Sequence, residues 1–145
     1  MNNILLIDDD IQILEALTTV IGAQLTDYAV LTARNGAEGI ALIDSMPVAL
    51  ILTDLDMPVM DGYAVVSHRN KRFPRVPLFV MSGRCSREAR ERLGELGVNE
   101  CIEKPFSFEQ IGNKIALALN VEPIDDFKNN RLMSHVHAAD DTMGA

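Results

Sequence analysis

Basic charge is scarce in this chain: 13 lysines and arginines stand against 21 aspartates and glutamates, a net charge of −8. A surface of that sign repels phosphate backbones and anionic headgroups, so neither nucleic acid nor a membrane surface is an expected partner. The N-terminal MNNILLIDDD has no basic stretch ahead of its short apolar run, and three carboxylates follow that run directly. Signal peptides and membrane-spanning helices do not look like this, and the expected compartment is the cytoplasm. Cysteine occurs only at Cys85 and Cys101, outside any CxxC or Cys/His spacing. That excludes the usual zinc and redox-pair patterns and leaves two packed, reduced thiols as the expectation. No internal repeat or low-complexity tract interrupts the sequence.

What is present suits one folding unit. A chain of 145 residues, 48% of them apolar, can bury a single core. Short apolar runs at Ile4 to Ile7, Ala29 to Thr32, Ala49 to Leu52, Leu78 to Met81 and Val98 to Ile102 read as strands. They lack clean alternation, as strands covered on both faces should, and Ala49-Leu50-Ile51-Leu52 has the look of a central strand. Between them, Leu14, Leu17, Ile21 and Leu25 recur at helical spacing, as do Ala89, Leu93 and Leu96, and Phe108, Ile111, Ile115 and Leu119. Asn35 with Glu38 and Ser107 with Gln110 have capping-box spacing, and Asp61 before Gly62 reads as a cap joined to a close approach. Five strand–helix repeats imply an α/β fold with a parallel sheet over residues 1–120. Pro123 then breaks the pattern, and residues 121–145 read as a tail, partly helical or disordered, with Ile124, Phe127, Leu132 and Val136 as its apolar positions.

The chemically unusual residues fall where strands end. Asp8, Asp9 and Asp10 follow the first strand, Asp54 ends the third, Ser82 ends the fourth, and Lys104 lies just past the fifth. Open parallel sheets bind ligands outside the carboxyl ends of their strands. Clustered carboxylates resist ionising together unless a cation offsets them, and Mg2+ suits a few carboxylates that share the site with phosphate oxygens. A carboxylate beside such an ion can attack a phosphoryl group, while an ammonium and a hydroxyl hold the remaining oxygens.

Four segments then resemble the receiver domain of two-component response regulators: Leu5 to Asp10, Leu52 to Gly62, Val80 to Gly83, and Glu103 to Phe106. The resemblance spans roughly residues 3 to 119. It implies a flavodoxin-like, doubly wound five-stranded sheet of order 2-1-3-4-5 with helices on both faces. It makes Asp54 the phosphoacceptor. Asp9, Asp54 and the backbone carbonyl of Asp56 become direct Mg2+ ligands, with Asp8 acting through a water. Ser82 becomes the hydroxyl that moves toward the phosphate and Lys104 its cation, followed by a cis bond to Pro105. The phosphate donor is expected to be a sensor histidine kinase or a histidine phosphotransfer protein. The output is expected to be a protein contact, or a homodimer, through the fourth helix, fifth strand and fifth helix. The chain reads as a stand-alone receiver or a piece of a longer regulator, not as a turnover enzyme.

One position departs from the family. Three residues before the lysine the family carries a tyrosine or phenylalanine whose rotation reports phosphorylation, and here Cys101 stands there. Asp56 and Arg84 occupy positions that flank the hydrolytic water in this family, and their opposite charges suggest a pair that tunes phosphate loss. Blander readings compete at several residues. Asp9 with Gln12 has the spacing of a helix cap, His68 reads as a surface helix residue, and His135 with His137 makes a poor metal pair. Two other functions fit parts of the pattern. Leu52-Thr53-Asp54-Leu55-Asp56 also reads as a haloacid-dehalogenase-type phosphohydrolase motif, with Asp54 as nucleophile and Asp56 as acid/base. A receiver-like binding module that is never phosphorylated is the third reading.

Overall fold

The computed structural model describes residues 2–122, so the expected apolar positions from Ile124 to Val136, and His135 and His137, lie outside the described residues. The elements follow one another as β1 (Asn3–Ile7), α1 (Ile11–Gln24), β2 (Ala29–Ala33), α2 (Gly36–Ser45), β3 (Val48–Asp54), α3 (Gly62–Arg72), β4 (Leu78–Ser82), α4 (Arg87–Glu95), β5 (Cys101–Glu103) and α5 (Phe108–Leu119). All strand pairs are parallel, in the order β2-β1-β3-β4-β5. This is the order expected from the sequence.

Side-chain alternation along the central strands divides the core into layers. Ile4 and Leu6 of β1 and Leu50 and Leu52 of β3 pack with Leu14, Leu17 and Ile21 of α1 and Ile111 and Ile115 of α5. Leu5, Ile7 and Ile51 point the other way, onto Ile43 of α2 and Val65 of α3. Burying both faces of β1 and β3 explains why these strands read as continuous apolar runs. Each fully buried leucine or isoleucine contributes on the order of 1.5–3 kcal/mol relative to leaving it in water. A third cluster, Leu55, Val66, Val80, Ala89, Leu93 and Val98 with both cysteines, lies beneath α4.

Helix starts are fixed by short polar side chains. Asn35, Asp61, Ser86 and Ser107 each accept a backbone N–H in the first turn of α2, α3, α4 and α5. For α1 the cap is Asp10, which accepts from the N–H groups of Gln12 and Ile13. Asp9 is therefore free of the capping role that its spacing to Gln12 suggested. Asn120 closes α5 in a left-handed conformation, φ 56°.

The expected strand at Val98 to Ile102 is shorter and later, at Cys101–Glu103. Gly97, at φ 81°, turns the chain after α4, and β5 is an edge strand with only β4 beside it. Val98 spends its apolar side chain on the cluster under α4 instead of on the sheet. Gly62 needs its missing side chain: a Cβ there would come within 2.8 Å of Leu55 Cα and closer still to the Asp54 carbonyl oxygen. The start of α3 thus rests directly on the backbone that carries Asp54.

Candidate functional site: an acidic pocket at the strand ends

The order of the sheet puts the carboxyl ends of β1, β3 and β4 side by side. Asp8 and Asp9 leave β1, Asp54 ends β3, and Ser82 ends β4. Asp8 is fully buried and Asp54 is 4% exposed, whereas Asp9 faces solvent. One carboxylate oxygen from each of Asp8, Asp9 and Asp54 can be chosen so that all lie within 4.8 Å of one another.

Lys104 enters this cluster from beyond β5. Its ammonium donates to Asp8 Oδ2 at 2.8 Å and lies 3.3 Å from Asp54 Oδ1. Asp54 Oδ1 thus has the ammonium charge beside it but no well-formed hydrogen bond in its buried setting. Asp8 Oδ1 accepts the Asp10 N–H at 2.9 Å. The Lys104 backbone N–H donates to the Ser82 carbonyl at 2.8 Å, and the Lys104–Pro105 bond is cis, as the sequence resemblance implied.

Two buried carboxylates share one ammonium, and the ionisation equilibria reflect that imbalance. Burial, then the charge of Asp8, push the Asp54 carboxyl up from the usual 3.8 to about 6, against the pull of Lys104. Burial also pushes Asp8 above its ordinary value, although its bonds to Lys104 and the Asp10 N–H pull back. Burial alone draws Lys104 down, but its bond to Asp8 and the charges of Asp54 and Asp8 outweigh this and hold it above its ordinary value. The cation is well served and the acids are not. A pocket with surplus negative charge, an orphaned carboxylate oxygen and an exposed third acid fits a hard divalent cation.

Ser82 is held away from Asp54 by other partners. Its Oγ lies 3.1 Å from Asp56 Oδ2 and 3.1 Å from the Arg84 carbonyl, either of which can take its single proton, and it accepts the Arg84 N–H at 3.2 Å. The Asp56–Arg84 ion pair suggested by the sequence does not form. Asp56 has Ser82 as its partner, and Arg84 meets the site through its backbone. Both residues nevertheless line one cavity of about 190 Å³ with Tyr63, Ser82, Ser86 and Arg92. The Arg92 guanidinium stacks 3.8 Å above the Tyr63 ring on its wall, a contact with no signal in the sequence. His68, expected simply to face solvent, bonds Asp44 through Nε2 at 2.8 Å and joins α3 to α2.

The largest correction concerns the cysteines. Cys85 and Cys101 are not separate reduced thiols; they are joined in a disulfide, with Cα atoms 5.9 Å apart. The 16-residue separation says nothing by itself. The β4–β5 register sets Cys101 beside Val80, and the chain after Ser82 turns back toward β5 to bring Cys85 within reach; strand order supplies the first half of that and only the loop geometry the second. Glu103 also escaped notice: its carboxylate accepts the Cys85 N–H at 3.0 Å.

A five-stranded parallel sheet with an acidic cluster, a lysine and a hydroxyl at its strand ends defines a receiver-type signalling domain. Comparison with known proteins agrees, since residues 4–116 match the family model of the response regulator receiver domain. The chain belongs to that family, which acts in two-component signalling. It is 29% identical to the transcriptional regulatory protein CpxR homolog of Haemophilus influenzae over 136 residues, 92% of this chain and 58% of that protein. It is 32% identical to the transcriptional regulatory protein PrrA of Mycobacterium tuberculosis over 117 residues, 80% of this chain and 49% of that protein. It is also 31% identical over 103 residues to the sensor histidine kinase TmoS of Ectopseudomonas mendocina, 70% of this chain and 11% of that protein. The chain thus spans little more than half, or less, of the curated relatives it matches. Among solved structures, a CheY-like response regulator receiver domain protein from Methanospirillum hungatei superposes with a TM-score of 0.74 at 26% identity, covering 83% of this chain and 94% of that one. A beryllofluoride-activated NtrC4 receiver domain dimer superposes with a TM-score of 0.73 at 26% identity, covering 83% and 98%. The family match displaces the haloacid-dehalogenase alternative, and Asp54 ends the third strand, not the first. Among the described residues, no helix is long and apolar enough to cross a membrane.

Proposed function

We propose that this chain is a phosphoryl-accepting receiver in which Asp54 is the nucleophile. The observation that carries the reading is Asp54 itself: buried at the end of the central strand, with one oxygen lacking a hydrogen-bond donor, beside Asp8, Asp9 and Lys104. An Asp54 oxygen attacks the phosphorus of a phosphohistidine carried by a sensor histidine kinase or histidine phosphotransfer protein. The new O–P bond forms as the P–N bond breaks, and the departing imidazole nitrogen keeps the electron pair and takes a proton from water. Lys104 holds one phosphate oxygen by charge, and Ser82 leaves Asp56 and Arg84 to hold another.

Asp9, Asp54 and the backbone carbonyl of Asp56 would hold Mg2+ directly, with Asp8 acting through a water. The ion supplies charge neutralisation for the acids and the incoming phosphoryl oxygens. Asp56 and Arg84 set the phosphate lifetime through the cavity they share, not through a direct ion pair.

The chain works in the cytoplasm, does not turn over a substrate of its own beyond losing its phosphate, and acts on a protein target. The face formed by α4, β5 and α5, where Leu117 is 83% exposed, is the contact surface, including for a homodimer of the kind named for the NtrC4 receiver. Incubation with a small-molecule phosphodonor tests the chemistry. One phosphoryl mass should be gained with Mg2+, and none with a chelator or in Asp54→Asn. An equal gain in Asp54→Asn would refute the assignment.

A further inference from the structure

Cys85 and Cys101 take no part in phosphoryl transfer, yet they join the two segments beside it. Cys85 lies in the connection 83–86 that leaves Ser82, and Cys101 opens β5, three residues before Lys104. Each is 8% exposed. Their Cα separation of 5.9 Å lies within the ordinary range for a disulfide. A weaker tie runs parallel to it, from the Cys85 N–H to Glu103, and Arg90 of α4 donates from Nε to the Cys85 carbonyl at 3.1 Å. The connection, α4 and β5 are therefore held as one unit.

We infer that Cys85 and Cys101 form a reversible thiol–disulfide switch that, when oxidised, clamps residues 83–86 and α4 to β5 and uncouples phosphoryl uptake from the surface change. The uncoupling rests on the acceptor reading above; the clamp does not. Ser82 can donate its single proton to the phosphate only by giving up the Asp56 carboxylate and the Arg84 carbonyl as acceptors. The connection must then rearrange, and a covalent link one residue beyond Arg84 opposes this. In a reducing compartment, disulfides are conditional rather than permanent. Reduction removes the link but not the packing, because both sulfur-bearing residues lie in the cluster with Leu55, Val66, Val80 and Leu93.

The oxidant is a low-molecular-weight disulfide such as glutathione disulfide. One cysteine thiolate attacks it and expels one thiol, leaving a mixed disulfide. The second cysteine attacks that bond and expels the other. One S–S bond forms and one breaks; two protons and two electrons pass from the cysteine pair to the departing thiols.

The test uses the full chain equilibrated with mixtures of reduced and oxidised glutathione, with free thiols trapped by alkylation and counted by mass. The native protein should interconvert between two free thiols and one Cys85–Cys101 link. Hydrogen exchange over residues 83–95, without phosphate or metal, should slow on the order of tenfold on oxidation. Beryllofluoride with Mg2+ should then alter exchange there in the reduced chain and in Cys101→Ser, but not in the oxidised chain, while 19F signals show Asp54 loaded in all three. Reduced wild type serves the same comparison if the variant does not fold. Failure to interconvert, equal exchange in both forms, or an equal response to beryllofluoride would overturn the switch. If beryllofluoride loads neither form, the acceptor reading fails instead, and the thiol counts and metal-free exchange still decide the clamp.

Discussion

Replacing Asp54 by asparagine should make the metal-free protein more stable, and increasingly so as pH rises from 4 to 7. The folded Asp54 carboxyl titrates near 6, against 3.8 in an unperturbed chain. Between those values the folded state holds a proton that the unfolded state has released. Stability therefore falls as pH rises through this window, and the loss is complete above about pH 7. A gap of that size, at 1.36 kcal/mol per pH unit, sets a ceiling of about 3 kcal/mol. Asparagine keeps the shape, removes the charge and leaves Lys104 with Asp8, so the variant lacks this slope. Urea unfolding in chelator at intervals from pH 4 to 8 gives the comparison. The two proteins should coincide near pH 4, and the variant should gain roughly 1–3 kcal/mol at pH 8. Saturating Mg2+ should stabilise only wild type, by about 2.7 kcal/mol at a hundred times Kd, and so close most or all of the gap. A variant that is less stable at pH 8, or a difference independent of pH, would refute the account of an uncompensated buried charge.

Other substitutions separate parts of the site. Lys104→Met strands Asp8 and Asp54 without their cation and should cost about 3 kcal/mol at pH 8 in chelator, less at pH 5, by the same unfolding measurement. Gly62→Ala pushes a methyl group against the Asp54 carbonyl and should destabilise by about 1–3 kcal/mol, visible as a lowered thermal midpoint. Asp10→Ala removes the α1 cap and should cost about 1 kcal/mol while leaving Mg2+ affinity near wild type. Asp9→Ala should do the reverse, lowering affinity in a Mg2+ titration without loss of metal-free stability. Swapped outcomes for these two neighbours would show that their roles are misassigned.

The sheet was readable because both faces of β1 and β3 are covered, which leaves unbroken apolar runs, and helical stripes alternate with them along the chain. That Asp8, Asp54, Ser82 and Lys104 lie together was legible for a related reason: the chain order of strand ends puts them on one rim, whatever their side chains do. The misses depend on three-dimensional detail. Val98 belongs to the cluster under α4 and not to β5, a choice made by Gly97 and by the missing second neighbour of an edge strand. The cap on α1 shifted by one residue because backbone angles, not spacing, choose between Asp9 and Asp10. Asp56 and Arg84 carry opposite charges, but Ser82 engages the Asp56 carboxylate and the Arg84 backbone, and the guanidinium forms no ion pair with Asp56. The disulfide was not legible because the β4–β5 register sets Cys101 beside Val80, and only the turn of residues 83–86 back toward β5 carries Cys85 to it.

The central claim is that the phosphoryl group goes to the Asp54 carboxylate. Phosphorylated protein treated with borohydride reduces an acyl phosphate to an alcohol, turning the aspartate that carries it into homoserine, and peptide mass mapping then locates that residue. The account predicts homoserine at position 54, in wild type treated with phosphodonor and Mg2+ and in no untreated control. Homoserine at Asp8, Asp9 or Asp56 instead, or phosphate on a serine or histidine with no homoserine anywhere, would contradict it.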